Sequence, residues 1–444
     1  MYPRGKRYHP CIISIIFSLL LLSIHPAATS GDVTTEGGPR DVDSIYWPFL
    51  GRDSYHNFRG TTENRGLMDP MVEWDNSDNS TSWGAVSGDF SGNVDFQGVD
   101  PGTIMGIADS NDTHLTVFFG DTGEVMWSVD VRDIEGRLTN RLFVAPALLD
   151  TDDDSRLELV CSITDGNLFQ VVLFEPNITL DQSGFSYDPD AQYYERVWIT
   201  ELGPIGPIRF SSPIAHDLGS DGVEDIIFGA GNSLFALHGN NGTVFWSLDI
   251  GPIGEVLSSP AIYPSPSLKR LVVNSLSPTR QALKTTVITF QGEHLKNVSR
   301  SLSIAPTYSG PVPVPVVGNV VGTSSPEILV SYPSISAGRI RVYDYSLEEL
   351  LEISDILGYV DSSCSIGDIN GDSKNEIFIQ SRYITTRWIM NMYCFEASVS
   401  GTDYSYTERW VANGPIQGPN TDRLHSSPLV CDLDDDLTPD VVFP

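Results

Sequence analysis

Residues 212–228 read SPIAHDLGSDGVEDIIF, and the same frame returns along the whole chain. It reads APALLDTDDDSRLELV at 145–160, CSIGDINGDSKNEIFI at 364–379 and SPLVCDLDDDLTPDVVF at 427–443. Counting runs from the Pro, or from Cys364 in its place. Oxygen-bearing residues then stand at +4, +8 and +12 in all four copies, and an apolar run follows each. Two weaker copies keep the frame without most of the acids. VPVVGNVVGTSSPEILV, from Val314, has Asn319 and Glu327, and SPAIYPSPSLKRLVV, from Ser259, has lost the acidic positions. A further copy at Ala85 carries Asp89, Ser91 and Asn93. The starts at 85, 146, 213, 260, 315, 364 and 428 lie 47 to 67 residues apart.

A second signature recurs between the copies. FFGDTGEVMW at 118–127 matches FALHGNNGTVFW at 235–246. Each reads as a strand, a tight turn containing Gly, and a strand ending in Trp. Trp198 and Trp410 occupy the same place in more divergent copies. One unit is thus strand, acidic loop, strand, hairpin, strand, or about four short strands. Helical periodicity is almost absent, and Leu347 to Leu357 is the one short helix expected. A four-stranded unit at this period predicts an all-β fold, a β-propeller of about seven (six to eight) blades. The Trp residues are expected to pack between neighbouring blades, where their large area suits a sheet-to-sheet contact. The chain stops at Pro444, before the hairpin that would finish the last blade. Residues 45–60 are a candidate for part of that closure.

Positions 1, 3, 5 and 9 of the loops carry the oxygens. They are Asp150, Asp152, Asp154 and Glu158 in the first full copy. The second has Asp217, Asp221 and Asp225, with Gly219 at the third position. The third has Asp368, Asn370, Asp372 and Glu376, and the last has Asp432, Asp434, Asp436 and Asp440. Calcium takes six to eight hard oxygens in flexible geometry, and alternating residues of a tight loop can aim several at one point. Carboxylates about 5 Å apart repel by ~0.8 kcal/mol per pair even in bulk water, a cost that a divalent cation offsets. Asp and Gly also make good turns without any metal. Four copies in one register point past that reading, to several calcium sites. Magnesium, which wants stricter octahedral geometry, is the lesser candidate. The copies at 260 and 315 are expected to bind no metal.

The loops resemble the calcium loops of FG-GAP/VCBS-type repeats, as in the integrin α-subunit propeller. The turn-plus-Trp strands and WPFLGRDSYHNFRG from Trp47 resemble repeats of the pyrroloquinoline-quinone-dehydrogenase-like propellers. Together the resemblances span residues 45–444. They imply a propeller in both cases, calcium at one rim in the first, and a quinone clamped in the central channel in the second.

The rest of the chain bounds the function. It has 444 residues, 26 basic against 58 acidic, and a formal charge of −32. A basic nucleic-acid-binding face is not to be expected from that balance. Arg4, Lys6 and Arg7 precede an apolar run from Cys11 to Ile24 and small residues up to Ser30. Residues 1–30 therefore read as a signal peptide, with an uncleaved anchor as the competing reading, and residues 31–44 as a linker. No later stretch is apolar enough to span a membrane. Cys161, Cys364, Cys394 and Cys431 sit singly and read as buried thiols without a disulfide. Asn79, Asn111, Asn177, Asn241 and Asn297 each stand in an N-x-S/T triplet, the acceptor pattern for glycosylation in exported chains.

No catalytic centre and no organic cofactor is expected. The vicinal Cys pair typical of quinone dehydrogenases is missing, and no Gly-x-Ser-x-Gly or HExxH pattern occurs. His216 beside Asp217 is the nearest approach to a base near a metal. The expected function is a secreted or cell-surface calcium-binding module for adhesion, scaffolding or ligand recognition, with an extracellular protein or glycan as partner. Inserts at Asn177–Glu195 and Tyr383–Arg409 are candidate binding surfaces or ordinary hairpins. The alternatives are a quinoprotein dehydrogenase and a propeller hydrolase or lyase.

Overall fold

The structure is a computed structural model. It describes residues 84–89, 105–110, 114–119, 125–130, 132, 141–142, 146–152, 157–164, 169–176, 180–181, 184–185, 194–203, 211–252, 256–263, 265, 268–302, 312–323, 325–334, 337–360, 362–384, 388–415, 427–431 and 439–442. The expected signal peptide at 1–30, the expected linker at 31–44, the Trp47 stretch and the candidate closing strand at 45–60 lie outside these residues.

Among the described residues every regular element is a strand. The strands form six antiparallel sheets of at least four strands, and a seventh pair follows them. Sheet 1 runs Gly84–Asp89, Met105–Ser110, His114–Phe119, Val125–Asp130. Sheet 3 runs Ile214–His216, Asp225–Ala230, Ser233–Leu237, Val244–Asp249, and sheet 5 runs Val316–Gly318, Glu327–Tyr332, Ala337–Tyr343, Glu349–Leu357. Sheet 6 runs Ser365–Gly367, Glu376–Ile384, Trp388–Ser400, Asp403–Pro415. Sheets 2 and 4 begin at Ala147–Leu149 and Ala261–Tyr263, each with a short extra strand, Arg141–Leu142 and Val256–Leu257. The seventh pair is Leu429–Cys431 with Asp440–Val442. All seven repeat starts in the sequence thus mark the first strand of a sheet.

The apolar runs explain the stacking. Asp225–Ala230 and Glu327–Tyr332 are buried along their whole length, which suits second strands covered on both faces. Each hydrophobic cluster belongs to more than one sheet. Val117 and Trp127 of sheet 1 pack with Leu159 and Phe174 of sheet 2. Sheets 2, 3 and 4 share the cluster of Val171, Ile227 and Leu271. Sheets 4 and 5 share Tyr263 and Tyr343, and sheets 5 and 6 share Ile340 and Ile377. Phe378 of sheet 6 packs on Val430 of the seventh pair. The cores therefore lie between consecutive sheets. The first strands also neighbour one another in order, Ala147–Leu149 beside Ile214–His216 and Val316–Gly318 beside Ser365–Gly367. Sheets stacked face to face with their first strands gathered inward are the blades of a β-propeller.

One expectation changes. Leu347–Leu357 is no helix; Glu349–Leu357 is the outermost strand of sheet 5, paired with Ala337–Tyr343. Its Leu and Glu residues favour a helix, but pairing with the adjacent strand overrides that weak preference. Tyr383–Arg409 is the outer hairpin of sheet 6, with strands of 13 residues each. Its tip leans on sheet 5, where Tyr406 Oη donates to Asp355 Oδ2 at 2.8 Å. Of the other insert, Leu180–Asp181 and Gly184–Phe185 form a small hairpin.

Candidate functional site

The acidic loops join the first and second strand of a blade. The loop of sheet 6 is described in full. Asp368 Oδ1 accepts from the backbone N–H of Gly371 at 2.7 Å and of Asp372 at 3.2 Å, and Oδ2 accepts from Ser373 at 2.8 Å. Asn370 Nδ2 donates to Glu376 Oε1 at 2.6 Å. Asp372 Oδ1 accepts from Lys374 N at 2.9 Å. Gly371 at φ 76° and Ser373 at φ 68° give the tight path that turns these groups inward. The loop of sheet 3 repeats the pattern. Asp217 accepts from Asp221 N and Gly222 N at 3.1 and 2.9 Å, and Asp221 accepts from Val223 N at 3.1 Å. In the loop of sheet 2, Asp150 is half-buried and Asp152 exposed; Asp154 is outside the described residues. So are Asp432, Asp434 and Asp436, whereas Asp440 is exposed in its strand.

Among the described residues no three His, Cys, Asp or Glu side chains are gathered tightly enough to hold a metal ion. In the loops of sheets 3 and 6, Asp217, Asp221, Asp368 and Asp372 accept instead from N–H groups of their own loop. The donor set nevertheless suits calcium in kind, since the sheet 6 loop offers only hard oxygens. Its electrostatics point the same way. Burial pushes the Glu376 carboxyl up, and Asp372 and Asp368 push it further. Glu158 is pushed up to about 8, by burial first and then against its N–H bonds by Asp152 and Asp150.

The ninth position has a second role that spacing alone did not reveal. Glu158, Asp225, Glu327 and Glu376 are all buried, at 2%, 3%, 2% and 1% exposure. Each reaches back to the N–H one residue past the loop's first position. The bonds are Thr151 N to Glu158 at 2.6 Å, Leu218 N to Asp225 at 3.1 Å, Val320 N to Glu327 at 2.9 Å and Ile369 N to Glu376 at 2.9 Å. Glu327 does this in a loop that lacks the other acids, so the loop-closing bond does not depend on them.

Neighbouring loops are also joined. Asp150 N donates to Glu224 Oε2 of the next blade at 3.2 Å. Asn375 donates to Asn319 O of the preceding blade through N at 3.0 Å and Nδ2 at 2.8 Å. Lys269 Nζ donates to Ser220 Oγ at 2.7 Å. The loops therefore lie side by side along one rim.

The Trp and Ser-Pro signatures tie blades together. Trp198 Nε1 donates to Gly239 O, and Trp246 Nε1 to Phe290 O, each at 2.7 Å in the next blade's hairpin. The rings rest on the turn glycines. A Cβ on Gly242 would sit 2.5 Å from Trp198, and one on Gly292 2.7 Å from Trp246. The Ser before Pro260 and the Ser before Cys364 each accept a bond from the preceding blade. Ser212 N donates to Ser259 Oγ and Val314 N to Ser363 Oγ, both at 2.8 Å. The recurring Ser was a visible signal for this contact.

His216 meets the edge of Phe290 at 5.1 Å, and burial lowers its pKa. His238 Nδ1 lies 3.3 Å from Asp225 Oδ1, a contact the sequence pattern did not suggest. Cys161, Cys364 and Cys394 are free and buried, and burial pushes each thiol up to about 12.

No family model matches the chain, and no curated protein matches it. Solved structures do. Sqt1 of Saccharomyces cerevisiae is 10% identical, with a TM-score of 0.41 over 69% of each chain. The Dos1 propeller is 11% identical, with a TM-score of 0.40 over 78% of this chain and 76% of that one. BBS1N, solved in complex with ARL6DN, is 12% identical at 0.40 over 68% and 76%. The propeller described above rests on the chain's own sheets and shared cores.

Proposed function

We propose that the chain is a secreted or cell-surface calcium-binding β-propeller of the FG-GAP/VCBS kind. It acts as a non-enzymatic adhesion, scaffolding or ligand-recognition module for an extracellular protein or glycan. The observation that carries this reading is the loop of sheet 6. Asp368, Asn370, Asp372 and Glu376 bring hard oxygens to one turn, and burial first, then the neighbouring Asp372 and Asp368 carboxylates, raise the Glu376 pKa. A divalent cation relieves that repulsion and stiffens the rim. The ligand surface is then the rim and sides of a scaffold already held by its inter-blade bonds.

Calcium titration of the signal-free protein by calorimetry, with melts in calcium and in chelator, tests the proposal. A ligand that binds only the native state raises the melting temperature with its concentration. Two or more sites with a clear shift support the reading. No heat and no shift reduce the loops to turn chemistry.

A further inference from the structure

Of the five N-x-S/T triplets, two lie in described residues, and both sit on the outer margin of adjacent blades. Asn241 is exposed in the turn before Val244–Asp249 of sheet 3, and Asn297 is exposed within His294–Ser301, the outermost strand of sheet 4. The other three, Asn79, Asn111 and Asn177, are outside the described residues. We propose that Asn241 and Asn297 are attachment sites for N-linked glycans, an inference that rests on the export reading above.

The local geometry presents the reacting atom. Asn241 Oδ1 accepts from Thr243 N at 2.9 Å and from Thr243 Oγ1 at 2.7 Å. The amide oxygen is thereby held, and Nδ2 has no partner among the described residues. The turn itself is fixed, since Thr200 Oγ1 of the preceding blade donates to Gly242 O at 2.6 Å. Asn297 Nδ2 lies 2.9 Å from His294 Nε2, with both side chains exposed. On each asparagine the new bond joins Nδ2 to the anomeric carbon of a lipid-linked sugar phosphate donor. The carbon–oxygen bond to phosphate breaks, the lipid phosphate leaves with the electron pair, and Nδ2 loses one proton.

The surroundings supply a reason for sugar here. Val244 is 47% and Leu295 45% exposed, and each lies within three residues of an acceptor. Both stand on outermost strands, whose free edges can pair with another chain. A glycan over these positions covers the apolar side chains and the edge together.

The chain is expressed behind a heterologous leader in a eukaryotic secretory host, and in parallel behind its own residues 1–30. Secreted, monodisperse protein is mapped by peptide mass spectrometry before and after peptide-N-glycosidase. Sugar is expected on the peptides holding Asn241 and Asn297, and N241Q and N297Q should each remove one glycan. Deglycosylated protein should also aggregate faster on heating. Secreted protein bare at both positions overturns the proposal. Retention of the chain behind its own leader overturns the export reading on which the proposal rests, and the heterologous-leader arm tells that failure apart from unfit acceptors.

Discussion

Replacing Glu327 with Ala isolates the loop-closing role of the ninth position from metal binding. Glu327 is 2% exposed, and its Oε2 accepts from Val320 N at 2.9 Å and Val321 N at 3.3 Å. Its Oε1 accepts from Thr323 Oγ1 at 2.7 Å. Truncation strands two buried N–H groups, at about 1–3 kcal/mol for each, while the Thr323 hydroxyl keeps the Ser325 carbonyl as acceptor at 2.8 Å. The buried carboxyl itself carries a desolvation cost, which raises its pKa and is relieved when it is removed. The net loss should therefore be ~3 kcal/mol. Glu327→Gln keeps one carbonyl oxygen for the N–H groups and should cost under ~1 kcal/mol. Urea unfolding of both variants, in calcium and in chelator, reads these values. Because this loop lacks the other acids, both losses should be the same with and without calcium, while Glu376→Gln should weaken the response to calcium. A Glu327→Ala variant within about 0.5 kcal/mol of the parent, or a Glu327→Gln variant as damaged as Glu327→Ala, would refute the reasoning.

Other perturbations probe different contacts. Gly219→Asp should raise calcium affinity at the sheet 3 loop by about tenfold, or ~1.4 kcal/mol, because a Cβ there meets only the Asp221 carboxylate at 3.6 Å; unchanged calorimetry would count against the loop as a site. Gly292→Ala should cost ~2 kcal/mol from its φ of 80° and the Trp246 ring 2.7 Å away, and less in a Trp246→Leu background; additive costs in denaturation would sink the Trp contact. In chelator, Glu158 titrates from 4.5 when unfolded to about 8 when folded, so the native state holds the extra proton between those values. Its contribution is full below about 4.5 and is lost as pH rises through about 8. Melts at pH 5 and 8.5 should show that fall, Glu158→Gln should flatten it, and a rise with pH would contradict it. Cys161, Cys364 and Cys394, with thiols at about 12, should resist a thiol reagent until the protein unfolds; fast labelling of native protein would contradict their burial.

The blade frame was legible because it is local. An apolar triplet, a loop and an apolar run follow each other within about 17 residues, so all seven starts were visible and fall on first strands. The reading failed at Leu347–Leu357, where Leu350, Leu351 and Ile353 suit a helix as well as a strand, and only the partner strand decides. The inter-blade bonds were less legible, because Ser212 to Ser259 and Trp198 to Gly239 join residues 47 and 41 positions apart. Their signal was the recurrence of the residue itself, not any pattern around it. The acids at position nine were read as ligands from spacing alone. The N–H groups they hold could be seen only once the loop was folded back upon them.

The contacts of Trp198 and Trp246 have a direction, since each ring leaves one sheet and lands on the turn glycine of the sheet after it. The smallest stretch holding both a ring and its landing place, Trp198 to Gly242, thus crosses from one sheet into the next. Copying one whole period within sheets 2 to 4 keeps the copied ring matched to a glycine, wherever the cut is made. A foreign blade grafted at either of these two boundaries meets a stricter demand: it must offer a bare turn to the blade before it and an indole to the blade after. At these boundaries, growth by tandem duplication preserves the contact, and exchange of a single member with an unrelated array breaks it on two sides.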